Sequence, residues 1–276
     1  MLYDLSKIFL LFIIYSFLGW LMETVACFLS TKKFTNRGFL LGPCCPIYGF
    51  GVLLIVILLH KYQKDPLILF IMAIIICSLL EYITSWLMEI IFKNRWWDYS
   101  NRKFNINGRV CLIGAVVFGT LSLILIKLVH PLVLKMIGMM NDTLFHTIVI
   151  ALAVIFITDN VITIAGFCHF DKKIKKFADE FKIQKEKLSE NIKVKTEDIT
   201  EDIKVKAENI KAKTENIKNK TNIQVPSVFS DIQENLAKKF NFQEKRMLKA
   251  FPKFKSINYN EVLEDLKEKL KIKRRK

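Results

Sequence analysis

The chain has 276 residues, 52% of them hydrophobic, and a formal net charge of +16. Those last two figures conflict for a single soluble domain, and splitting the chain resolves the conflict. Residues 1–170 carry 13 Lys/Arg against 8 Asp/Glu, whereas residues 171–276 carry 29 against 18, so the first stretch suits hydrocarbon and the second suits water or a charged surface.

A bilayer core about 30 Å thick calls for about 20 apolar helical residues. Five runs qualify, at 5–29, 39–59, 67–92, 111–129 and 144–167. Each is predicted to be helical, because lipid offers no partner to an unpaired backbone group. The first run has only Lys7 before it and no small-residue cleavage pattern after it, so it reads as an uncleaved helix. The second opens with Gly42, Pro43, Pro46 and Gly49, which predicts bent or partly unwound first turns covered by protein or water. The fold class is therefore all-α: a polytopic membrane bundle of about five helices at 1–170, a charged heptad-like stalk at 171–225 and a basic amphipathic tail at 226–276.

Cations set the expected orientation. Lys7, Lys61, Lys64, Lys127 and Lys135 fall on one side. Twelve fall on the other: Lys32, Lys33, Arg37, Lys93, Arg95, Arg102, Lys103, Arg109, Lys172, Lys173, Lys175 and Lys176. This bias puts the N-terminus outside and the tail in the cytoplasm of a multi-pass plasma-membrane protein.

The chain also repeats itself. Trp20-Leu21-Met22-Glu23 recurs as Trp86-Leu87-Met88-Glu89, each followed by a basic loop. Asn36-Arg37-Gly38 leading to Gly42 is mirrored by Asn107-Gly108-Arg109 leading to Gly114, and Tyr48-Gly49 by Phe118-Gly119. Two parallel helix–loop–helix hairpins plus one further helix are predicted.

In the tail, Ile192, Ile199, Ile203, Ile210 and Ile217 are spaced 7, 4, 7 and 7. One isoleucine per heptad makes a thin stripe, suited to a solvated helix or weak coiled coil. After Pro226, Phe229, Ile232, Leu236 and Phe240 form one apolar face and Val262, Leu266 and Leu270 another. This part is expected to lie on anionic lipid, meet a protein partner or pack on itself as a hairpin. It carries no RNA- or DNA-binding motif, so nucleic acid is not the expected partner.

Four acids sit inside the apolar runs: Glu23, Glu81, Glu89 and Asp159. Each costs roughly 2–3 kcal/mol at mid-bilayer, so each is expected to face protein or water. Glu81, Ser85 and Glu89 are four apart on one helical stripe. Glu23 and Glu89 lie near the helix ends, within reach of Arg37 and Arg109. Two readings stand, a polar path between the repeats or internal ion pairs that fix packing. Asp159 has no evident cation at its depth, which favours function. Trp96, Trp97 and Tyr99 suit an interfacial belt, which leaves Asp98 and Ser100 to cap the loop or bind a ligand. His60, His130, His146 and His169 read as isolated interfacial residues. The six cysteines have no metal-ligand spacing and read as small buried hydrophobes. There is no P-loop and no hydrolase pattern, so neither cofactor, metal nor catalytic residue is expected, and the chain is not expected to be an enzyme.

The series GWLMETVACF…FTNRGFLLGPCCPIYGFG, LLEYITSWLMEIIF and RWWDYSNRKFNINGRVCL resembles a bacterial membrane family called putative ABC-transporter type IV, or CmpB-like, over about residues 5–135. The motif positions carried by the resemblance are Glu23, Asn36, Arg37, Gly38, Gly42, Pro43, Pro46, Tyr48, Gly49, Glu81, Glu89, Trp97, Asp98, Tyr99, Ser100, Asn107, Gly108 and Arg109. Phe118-Gly119 stands where Trp-Gly is expected. The resemblance implies a permease-like subunit without its own ATPase, served by a separate ATPase subunit; five helices are few for a translocation path, so a homodimer is expected. The alternative is a membrane scaffold or stress sensor whose tail recruits partners.

Overall fold

The computed structural model describes residues 4–207 and 240–269. The membrane part contains α1 (Leu5–Thr31), α2 (Pro46–Leu59, continued by a 3-10 turn at His60–Tyr62) and α3 (Pro66–Phe92). It continues with α4 (Leu112–Gly138) and α5 (Asp142–Ala207). Two short helices follow, α6 (Phe242–Ala250) and α7 (Asn260–Lys269). Four two-residue strands, β1 (Asn94–Arg95), β2 (Asn105–Ile106), β3 (Val110–Cys111) and β4 (Lys255–Ser256), pair antiparallel as β1–β4 and β2–β3.

By length and composition α1, α3, α4 and the Asp142–Glu180 part of α5 can each cross a membrane. Their outward faces are bare: Ile150, Val154, Ile155, Ile157 and Val161 of α5 are each at least 60% exposed. That much contiguous apolar surface suits lipid, not water. The protein is a multi-pass membrane helix bundle.

The second run departs from a full span. Residues 39–45 are not helical, and the helix starts at Pro46, where a missing N–H costs nothing. Pro46–Tyr62 is 17 residues, about 25 Å of helix. Among the described residues four helices are thus long enough to span, not the five expected, and the non-helical start of the second run agrees with Gly42, Pro43 and Pro46.

Local chemistry sets the other boundaries. Lys32 and Lys93 end α1 and α3 in the left-handed conformation, with φ of 55° and 53°. Asp65 caps α3, accepting from the amides of Leu67 and Ile68 at 3.0 and 3.1 Å. A π-turn at Leu125–Val129 precedes Pro131 in α4. The proline has no N–H and its ring crowds the carbonyl four residues back, and the wider turn absorbs both effects.

Each hairpin of the repeat packs through a glycine. Gly49 of α2 lies against Ser16 and Phe12 of α1, and Gly119 of α4 against Phe70 and Ile74 of α3. One apolar core joins Ile55 and Leu59 of α2 to Leu69 and Ala73 of α3 and Ile126 of α4. Another joins Leu10, Leu11 and Tyr15 of α1 to Val133 and Ile137 of α4.

The described chain forms two compact units. The first takes in residues 4–168 together with Asn241–Asn258, so part of the predicted tail belongs to the bundle. In the second, Phe240 packs against Phe170 and Phe177 at 5.8 and 6.3 Å, under the ammonium of Lys173. Of the heptad stripe, Ile192, Ile199 and Ile203 fall within α5, while Ile210 and Ile217 lie outside the described residues, as do Phe229, Ile232, Leu236 and Leu270 of the apolar faces predicted after Pro226.

Candidate functional site: a cavity in the bundle and the segment that closes it

The loop between α3 and α4 is built on a tight turn. Asn107 and Gly108 both have positive φ, 52° and 66°, and Arg109 N–H donates to the Ile106 carbonyl at 2.9 Å. Asn-Gly is the pair that adopts this mirror-image turn at least cost. A side chain at Gly108 would also strike Ser100 and Asp98. The Asp98 carboxylate accepts from the Ser100 amide at 2.9 Å and its hydroxyl at 2.5 Å, and Trp97 Nε1 donates to the Arg109 carbonyl at 3.0 Å. The WDYS and NGR motifs thus build one another.

The α1–α2 loop is held from both sides. Asn36 Oδ1 accepts from Trp20 Nε1 at 2.8 Å and from the Gly38 amide at 2.9 Å, and its amide donates to the Leu41 carbonyl. Asp159 of α5 accepts from the amides of Leu41 and Gly42, both at 2.9 Å, and from Thr163 at 3.1 Å. The Arg246 guanidinium also lies near enough to interact with Asp159 electrostatically. Asp159 supplies the partners that non-helical backbone needs at membrane depth, and it does not line the cavity described below.

The repeat places an arginine on each glutamate. Arg37 Nε lies 3.7 Å from Glu23, and Arg109 lies 3.0 Å from Glu89. Beyond that the two halves differ. Glu89 also binds Arg95 at 3.1 Å, and Arg109 reaches Ser85 at 3.2 Å. Glu23 instead accepts from the Tyr48 hydroxyl at 2.7 Å. Glu81, unlike Ser85 and Glu89, lines a cavity, where it accepts from the Tyr99 hydroxyl. Burial and the Glu81 and Glu23 carboxylates push the Tyr99 phenol well above its ordinary range. The stripe Glu81, Ser85, Glu89 is thus divided: the last two belong to a structural ion network, the first to a cavity.

That cavity has a volume of about 790 Å³ and is mostly apolar. Glu23, Arg37, Tyr48, Glu81, Trp97 and Tyr99 are among its walls. Size and lining are those of a small-molecule site. Tyr15 reaches the cavity too and bonds the Nδ1 of buried His130 at 2.6 Å, so His130 is an internal residue of the bundle and not an interfacial one.

Phe251, Pro252 and Lys253 complete the wall. Sequence reasoning missed this, because the anchors are backbone groups far away in the chain. Asn241 and Glu244 form a reciprocal capping box that starts α6. Arg246 on that helix donates to the carbonyls of Gly38, Leu40 and Phe39 at 3.2, 3.0 and 3.1 Å. Arg37 answers by donating to the Ala250 carbonyl at the end of α6. The β1–β4 pairing follows, and Ile257 N–H donates to the Lys93 carbonyl. Lys255 Nζ meets Asp98 at 2.5 Å. Burial alone would raise the Asp98 carboxyl, but Lys255 and Ser100 outweigh it and hold it well below the usual carboxylate range. Trp96 is 3% exposed, packed by Phe39, Phe92, Phe167, Phe251 and Phe254. It belongs to this aromatic core and not to a lipid-facing belt.

No curated protein and no solved structure matches the chain significantly. The sequence profile described as "Putative ABC-transporter type IV" matches residues 10–164. The match runs beyond the motif-bearing residues 5–135 to include Asp159, and it covers more than half of the 276 residues. The chain belongs to the Putative ABC-transporter type IV family.

Proposed function

We propose that the protein is a non-enzymatic, permease-like subunit of the bacterial inner membrane, with its N-terminus outside and its tail in the cytoplasm. The observation that carries this reading is the cavity of about 790 Å³ inside a membrane bundle, walled by Glu23, Arg37, Tyr48, Glu81 and Tyr99. Apolar walls with a few convergent polar groups favour a bound solute over a purely structural void. The segment Phe251–Lys253 forms one wall, so its movement would widen the access of a solute. Energy would come from a separate ATPase subunit, and the bare face of α5 offers a surface for a homodimer. No cofactor or metal is part of this reading.

A second reading, a membrane scaffold or stress sensor, is favoured by α5, which continues as one helix from Asp142 to Ala207. In it the remainder of the basic tail recruits a protein or anionic lipid.

Purification of the intact protein from native membrane separates the two. An ATPase that copurifies, and whose hydrolysis responds to Glu81→Gln, supports the permease. Non-ATPase partners that are lost on truncation after residue 258, with the bundle intact, support the scaffold.

A further inference from the structure

We infer that the cavity binds an apolar organic cation, of the amine or quaternary onium class, with Glu81 as its counter-charge and aromatic side chains as its wall. The inference rests on reading the cavity as the permease's binding site and adds the class of its ligand.

The charges around the cavity support it. Its charged walls are Glu23, Arg37, Glu81, Asp98, Arg102 and Lys253. Arg37 is shared between Glu23 and the Ala250 carbonyl. Asp98 is matched by Lys255, and Lys253 Nζ is on the Asp98 backbone carbonyl at 3.4 Å. Arg102 is exposed in the loop. That leaves Glu81, which is 8% exposed and, among the described residues, has no cation within ion-pair distance. Its partner is the neutral Tyr99 hydroxyl. A buried carboxylate without a counter-ion is costly, and a bound cation would supply one.

The walls fit the rest of such a ligand. Tyr48 and Phe118 meet edge to face at 6.0 Å, and Tyr15, Trp97 and Tyr99 add further rings. Aromatic faces attract a desolvated cation and tolerate its apolar substituents. Met22 and Met88, also in the wall, adapt to irregular apolar shapes. An anion would instead face Glu81 with no free guanidinium at its depth.

The test uses the full-length protein in phosphatidylcholine nanodiscs and two probes of one shape and opposite charge, tetraphenylphosphonium and tetraphenylborate, with binding followed by flow dialysis. Tetraphenylphosphonium is expected to bind saturably. Glu81→Gln is expected to weaken it by at least about tenfold, a difference of about 1.4 kcal/mol. Glu81→Asp, which keeps the charge, should retain most of the binding, and Thr84→Trp, which fills the cavity, should remove it. The cation assignment falls if tetraphenylborate binds equally well, or if Glu81→Gln binds tetraphenylphosphonium as the wild type does. If in that case Thr84→Trp still abolishes binding, the cavity remains a binding site and only its ligand class is wrong. If the wild type binds neither probe saturably, the cation assignment and the binding-site reading both fall.

Discussion

Replacing Arg246 by alanine should release the segment that closes the cavity. One guanidinium holds three carbonyls of the broken α1–α2 loop, at 3.0–3.2 Å. A hydrogen bond from a charged donor contributes about 1.5–3 kcal/mol, but these three share one half-buried side chain and water can replace part of the loss. A total of about 3 kcal/mol is reasonable, which is roughly a hundredfold rise in the undocked population. Arg246→Lys keeps the charge but loses the planar fork, so it should fall between the two. Hydrogen exchange in nanodiscs reads this directly. Amides of α6 and the β1–β4 ladder, with Ile257, should exchange about a hundredfold faster, while α1 and α3 keep their protection. Unchanged exchange in Arg246→Ala would refute the docking role. Equal acceleration throughout the bundle would show that Arg246 holds the whole fold instead.

Other consequences follow from single contacts. Asp159→Ala leaves the Leu41 and Gly42 amides without acceptors and should cost about 2–4 kcal/mol, seen as a lowered unfolding midpoint in detergent. Gly49→Ala places a methyl 2.6 Å from the Phe12 carbonyl, so α1 and α2 must separate, at about 1–3 kcal/mol by the same assay. Gly108→Ala combines positive φ with contacts to Ser100 and Asp98, and should disorder the loop as read by its hydrogen exchange. The Asp98 carboxyl is held low, so its contribution is complete above the unfolded value of about 3.9 and is lost only as pH falls through the lower folded one. Protection of residues 251–257, corrected for intrinsic exchange, should then be flat from pH 8 to pH 5 in the wild type. Asp98→Asn should lower it across that range.

Much of the bundle is legible in the sequence because lipid imposes a simple rule on long apolar runs. The break before α2 could be read from Gly42, Pro43 and Pro46, whose backbone limits are local. Glu23 with Arg37, and Glu89 with Arg109, are close in the structure because a helix end and the loop that follows it bring repeat-related residues together. The function of Asp159 was not legible, since its partners are backbone amides more than a hundred residues earlier. Docking of residues 241–258 was hidden for the same reason: a carbonyl leaves no signature in the side-chain code. The charged composition of the tail pointed outward to lipid or partners, yet Arg246 and Lys255 are engaged within the bundle unit. The stripe Glu81, Ser85, Glu89 was visible as a periodicity, but its division between a cavity and an ion network depends on where Tyr99 and Arg109 arrive.

Thiol labelling at the cavity wall tests most directly whether the bundle encloses a space gated by its own tail. A single cysteine at Thr84, in a cysteine-free background, is exposed to a membrane-impermeant maleimide from each side of sealed vesicles. Slow labelling that Arg246→Ala accelerates severalfold, from the side bearing the α1–α2 and α3–α4 loops alone, is the expected result. Labelling that Arg246→Ala leaves unchanged, or that arises from the opposite side, would contradict it.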